Sequence, residues 1–289
     1  METTESLKRH VHTAEDLHSL VRTMKALAAV NIRQLECAVE SLADYRRTIE
    51  LGLRVVLRQR GRSIVTSRTA PQGTLGTIVF GSDQGMCGQL NDQIVASALG
   101  HINGLPAPLE NRATLAVGAR VAMRLEDAGE ALETVLPVAS SPSGIIPLVQ
   151  DILMHVDRWH SEQRINRVVV FYCEHVSRAA YRPRVLELLP TDRRWLANLQ
   201  REKWPTRMLP TFTMDADRLF SALVRQYLFV SLFRACAESL ASENASRLAA
   251  MRGAERNISE RIGELTSLFH QTRQMAITVE LLDLVAGFE

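Results

Sequence analysis

Residues 215–289 read DADRLFSALVRQYLFVSLFRACAESLASENASRLAAMRGAERNISERIGELTSLFHQTRQMAITVELLDLVAGFE, with no proline in the stretch. Proline lacks an N–H and its ring collides with the preceding turn, so a proline-free run of this length can stay one helix. Phe220, Val224, Tyr227, Val230, Ala237 and Ala241 open an apolar stripe, which Asn244, Leu248, Met251, Ile258, Ile262, Leu265 and Phe269 extend and Thr272, Ala276, Val279 and Leu282 finish. The stripe repeats close to every 3.5 residues, the seam of a left-handed coiled coil. About 70 helical residues would extend roughly 105 Å. Asp215 or Asp217 can cap the start. Ala235, Ala237, Ala241, Ala245, Ala249 and Ala250 leave room for close approach of a second helix.

All ten prolines lie between Pro71 and Pro210, so residues 1–70 are proline-free as well. There Leu7, Val11, Ala14, Leu17, Val21, Met24, Ala28, Leu35, Val39, Leu42, Tyr45 and Ile49 carry the same spacing, with Asn31 or Ile32 filling the remaining slot. Only Gly52 interrupts this pattern before Gly61. Two long helices, over 1–60 and 213–289, are therefore expected to flank a compact domain at 70–212. They can pair antiparallel with each other or separately with other chains, and periodicity leaves both open. Near the end, Met275, Ile277, Val279, Leu281, Leu282, Leu284, Val285 and Phe288 spread apolar surface round the helix. Such a helix is normally covered, here by a partner protein.

The middle alternates strands and helices. Strands are read at 74–80, 114–117, 134–138 and 167–172, with weaker ones at 185–189 and 207–212. Helices fall at 89–99, 119–128 and 147–160. This order implies an α/β sheet with crossover connections.

Composition narrows the function. A formal net charge of +2 over 289 residues offers no large electrostatic field for nucleic acid. No apolar run of about 20 residues suggests a membrane span, and the N-terminus lacks a signal core. The four cysteines are far apart in sequence and form no metal motif.

Gly81, Gly85 and Gly88 stand where phosphate loops sit, between a strand and a helix, but neither nucleotide-binding spacing nor a lysine is present. A structural turn is the reading for this loop, with Asp83 capping the loop's own amides. His10 and His12 face different ways on their helix. Cys173 and His175 can share a strand face, but no acid orients them, and a core thiol with a surface imidazole is expected. No catalytic constellation, metal set or cofactor signature is found. A nucleotide-binding α/β enzyme with coiled-coil arms and a static coiled-coil scaffold are the alternatives that the residues leave open.

Three segments are more specific. The run from Ala241 to Gly287 carries Ala241, Ser242, Glu243, Arg247, Met251, Ala254, Asn257, Arg273, Gln274, Ile277, Thr278, Glu280 and Val285. The loop SDQGMCGQLN spans 82–91, and VRTMKALAAVNIRQ, with Met24, Lys25 and Arg33, spans 21–34. In this order they resemble the γ subunit of F-type ATP synthases over nearly the whole chain. Gln84 replaces the family's usual basic loop residue, Ala29-Val30-Asn31 departs from its usual run, and the Arg- and Trp-rich segment 178–204 matches poorly. These departures suggest a divergent branch, such as the alternate sodium-type ATPases.

The resemblance implies an antiparallel coiled coil of the terminal helices beside a Rossmann-like domain. It implies a non-catalytic rotor, one copy per complex, turning inside a ring of α and β subunits above the ε subunit and the c-subunit ring. It would lie at the cytoplasmic face of the bacterial plasma membrane without spanning it, and would couple ion flow to cycling of the β subunits. Arg273, Gln274 and Thr278, with Met24 and Lys25, map onto contacts with the β-subunit catch loops. Leu282, Val285 and Phe288 map onto the tip held in the apical bearing. Asp83, Gly85 and Gly88 form a structural loop.

Overall fold

In a computed structural model, the described residues are 3–60, 74–105, 112–177, 180–190, 193–205, 208 and 210–286. Two long helices open and close the chain: α1 (Thr4–Arg60) and α6 (Ala216–Ala286). Asp215 starts α6, its Oδ1 accepting the amides of Asp217 and Arg218 at 3.0 Å each. Gly52 does not break α1. A Cβ there would sit 3.1 Å from the Leu223 side chain, so glycine lets α6 approach closely.

Between them lie β1 (Leu75–Phe80), α2 (Leu90–Asn103), β2 (Arg112–Val117), α3 (Ala119–Asp127), β3 (Thr134–Leu136), α4 (Ile145–Ser161), β4 (Arg167–Ser177), β5 (Ala180–Leu189) and α5 (Arg193–Arg201). The sheet order is β3-β2-β1-β4-β5, parallel except for β5, which is antiparallel to β4. The expected α/β sheet is present. Residues 208 and 210–212 form no strand, contrary to expectation, and 207 and 209 lie outside the described residues. The helix α5 was not expected.

The chain forms two compact units, Val30–Ser246 and the pair Met1–Ala29 with Arg247–Glu289. In the larger unit, one sheet face buries Val79, Ala116, Val169 and Phe171 against Ile94 of α2 and Val121 of α3. The other buries Ile78, Leu115, Val168 and Val170 with Ile152 of α4 and Leu232, Cys236 and Ala237 of α6. One 18-residue window of α6 reaches a mean hydropathy of 1.3, enough by length and composition for a membrane span. The expectation of no such run is corrected on this point. Only 28% of that window is buried, Leu232, Phe233 and Cys236 among it, while Leu223, Val224, Leu228 and Phe229 are half-buried against the rest of the domain.

α1 and α6 run antiparallel within both units. In the larger, Asn31 Nδ2 donates to Asn244 Oδ1 at 3.4 Å and Tyr45 donates to Gln226 at 3.0 Å. In the smaller, Lys25 pairs with Glu255 at 2.5 Å, and Leu7, Val21, Ala28, Leu248, Met251 and Leu265 are buried. The question that periodicity left open is answered by these pairs. Leu17 and Tyr45 belong to the expected seam yet stand 49% and 45% exposed. His18 takes the place of Leu17, its Nε2 lying 3.2 Å from the Ser259 hydroxyl.

Candidate partner interface

The C-terminal half-turns of α6 carry the exposed residues. Arg273, Gln274 and Thr278 all face solvent, and the Thr278 hydroxyl donates back to the Gln274 carbonyl at 2.8 Å. Around them, Met275, Ile277, Val279, Leu281 and Leu282 are 47–62% exposed. That is a cationic and amide pair set among large apolar side chains. Leu282 is on the helix surface; nothing is described of the Val285 side chain, and Phe288 lies outside the described residues. On α1 a second apolar stripe, Leu17, Leu20 and Leu27, is 49–59% exposed. Met24 is half-buried.

Lys25 is not a free cation. Its ammonium is held by Glu255, and that ion pair keeps the Glu255 carboxyl below the usual carboxylate range. Nothing in the sequence around Glu255 distinguishes it from the other charges of α6. Only its position opposite Lys25 in an antiparallel register could have singled it out.

The loop after β1 is tied by its own side chains. The Ser82 amide donates to Asn91 Oδ1 at 3.1 Å, Asn91 Nδ2 donates to Ser82 Oγ at 2.8 Å, and Ser82 Oγ donates to the Gln84 carbonyl at 2.9 Å. Gly88 has φ +57, a left-handed conformation that favours glycine, while a Cβ on Gly85 would meet open space. Asp83 does not cap its own loop. Its Oδ1 accepts the Ala119 amide and its Oδ2 the Val138 amide, both at 2.8 Å. One carboxylate thus joins the start of α3 to the segment after β3, a link invisible in sequence because the amides lie 36 and 55 residues away.

Two hydroxyls of α6 meet this layer. Ser246 bonds the Cys87 carbonyl at 2.5 Å and Ser242 the Cys173 carbonyl at 2.9 Å. Burial and the neighbouring Cys87 push the Cys173 thiol up to about 12, so it stays protonated. The imidazole of His175 is not at the surface as expected. It is 9% exposed, with Nε2 3.4 Å from Glu36 Oε1 on α1. A protonated thiol and an imidazole turned to a glutamate offer no activated nucleophile. Among the described residues, no group of three or more His, Cys, Asp or Glu side chains gathers to hold a metal.

Comparison with known proteins agrees with this geometry. The γ chain of the Nostoc punctiforme ATP synthase is 26% identical over 313 residues, covering 98% of both chains. That of a Polaromonas species is 26% identical over 284 residues, covering 97% of this chain and 96% of its own. The fold is shared with the rotor of the Euglena gracilis mitochondrial ATP synthase, at a TM-score of 0.60 and 15% identity, over 95% of this chain and 98% of that one. The central stalk of the Tetrahymena thermophila enzyme matches at 0.58 and 19% identity, over 81% of this chain and 99% of its own. With the family model for ATP synthase matched across residues 3–289, the chain belongs to the ATP synthase family, and the relatives that it matches end to end are γ chains.

Proposed function

We propose that this chain is the central-stalk rotor subunit of a rotary F-type ATP synthase, transmitting torque between a c-subunit ring in the membrane and the catalytic β subunits. The observation that carries the reading is the end-to-end match to γ chains, joined to a fold in which the terminal helices pair antiparallel beside an α/β sheet. A rotor needs a stiff, asymmetric helix pair and no catalytic group of its own. The chain works within a membrane-associated complex, as one copy, on its cytoplasmic side.

Arg273, Gln274 and Thr278 are the contacts for the β-subunit catch loops, with Met24 and Lys25 on the facing helix and Lys25 acting through its pair with Glu255. Their exposure beside unpartnered apolar side chains supports this assignment. Leu282, Val285 and Phe288 belong to the tip held in the apical bearing. Asp83, Gly85 and Gly88 are structural. In the assembled complex, replacing Arg273 and Gln274 together by alanine should lower coupled ATP turnover about ten-fold, the scale of one lost charge-assisted contact, and leave the helix content unchanged. Unchanged turnover and pumping would remove these two residues from the contact set.

A further inference from the structure

We propose that the Val30–Ser246 unit binds a small oxyanion of the phosphate class where α1, the β4–β5 hairpin and α6 meet. Arg46 of α1, Arg184 of β5 and Arg234 of α6 line one cavity of about 220 Å³. Each guanidinium is anchored by its own carboxylate through Nε: Arg46 to Glu50 at 2.9 Å, Arg184 to Glu174 at 2.8 Å and Arg234 to Glu238 at 2.6 Å. Arg184 also gives one terminal nitrogen to Glu174, at 3.3 Å. An arginine held by one edge keeps other donors in a fixed plane, the geometry that suits a tetrahedral oxyanion. The Arg46 guanidinium is further fixed over the Tyr227 ring, 5.9 Å from its centroid.

The remaining polar lining donates as well. Tyr172 and Ser231, each with a hydroxyl, line the cavity. Burial and the nearby Glu238 push the Tyr172 phenol up to about 12, so it keeps its proton at neutral pH. Glu174 is the one carboxylate lining the cavity, and Glu50 and Glu238, which hold the other two guanidiniums, stand outside that lining. The cavity is smaller than the roughly 300 Å³ at which pockets for drug-sized ligands begin, so it suits a phosphate rather than a nucleoside.

Calorimetric titration of the full-length chain at constant ionic strength tests this with inorganic phosphate, ADP and adenosine. Phosphate should bind, ADP should bind no more than a few-fold tighter, and adenosine should not bind. Arg184→Gln should weaken phosphate at least about ten-fold, the scale of one charge-assisted contact, with partial recovery in Arg184→Lys. Arg182 shares Glu174 but does not line the cavity, so Arg182→Gln removes the same charge and should change the affinity less than about three-fold. Absence of phosphate binding, equal losses in the two glutamine variants, or adenosine binding as tightly as ADP would overturn the proposal. None of these outcomes bears on the coupling assay for Arg273 and Gln274.

Discussion

Ser242→Ala isolates one hydroxyl that completes the sheet. Cys173 stands opposite Pro183 in the β4–β5 ladder, and proline has no N–H to give its carbonyl. On the other side, the pairing of β1 with β4 stops at Phe171, two residues earlier. The strands therefore supply no donor, and Ser242 on α6, fully buried, supplies one at 2.9 Å. The same hydroxyl lies 2.8 Å from the Glu238 carbonyl one turn back, so its single proton is shared between two acceptors. Removing it strands a buried carbonyl, at a cost of about 1–3 kcal/mol. Alanine recovers up to about 0.5 kcal/mol through its higher helix propensity. The net expectation is a loss of about 0.5–3 kcal/mol, read by urea unfolding of the full chain through tryptophan fluorescence. Ser221→Ala is the matched control, because that exposed hydroxyl bonds only the Asp217 carbonyl a turn back. A Ser242→Ala chain as stable as the Ser221→Ala chain would refute the reasoning.

Two further predictions concern titration. Glu174 accepts from Arg184 and Arg182, which hold its carboxyl below the ordinary range. Its contribution to stability should therefore be fully present above the unfolded carboxylate pKa and be lost as pH falls through the lower folded value; glutamine at both arginines should return the carboxyl to the ordinary range in an NMR titration, and an unmoved value would contradict the assigned cause. Among the thiols, burial pushes Cys173 and Cys236 up to about 12, whereas Cys37 is exposed. Iodoacetamide at neutral pH should label Cys37 at least about ten-fold faster than either in the native chain, read by mass spectrometry, and comparable rates would contradict the burial.

The long helices and the first three parallel strands are legible because each rests on local physics. Absence of proline and a 3.5-residue period define α1 and α6, and short β-branched runs define β1 and β2. The parts that escape depend on tertiary partners. β5 is weak in sequence because Pro183 interrupts it and one face carries Arg182 and Arg184; it persists as an edge strand beside β4, and Ser242 of α6 meets the Cys173 carbonyl that Pro183 cannot. α5 has only nine residues, with Trp195, Leu196 and Leu199 as its apolar side chains. It is fixed by contact: Trp195 stacks on Tyr227 at 4.3 Å, and Leu199 is buried with Ile49 and Leu53 of α1. The Arg- and Trp-rich segment thus has a packing role that its own pattern does not announce.

The candidate interface shows the same division in reverse. Arg273, Gln274 and Thr278 are singled out by motif, and their exposure could be anticipated because the apolar residues around them leave no polar face to point outward. Lys25 is singled out by the same kind of motif, yet its nearest chemistry is internal. In an antiparallel pair, the residue facing position 25 cannot be found until the register is known. The pairs Lys25–Glu255 and His18–Ser259 supply that register. Once it is known, a charge exchange separates two roles for Lys25. If the lysine acts only by holding the helices, exchanging the charges in Lys25→Glu with Glu255→Lys should preserve coupling in the assembled complex. If its cation must also reach a β subunit, the exchange should fail even though the ion pair is rebuilt. Retained turnover in the double exchange, against a loss in Lys25→Glu alone, would confine Lys25 to the helix pair and leave the catch contact to Met24, Arg273, Gln274 and Thr278.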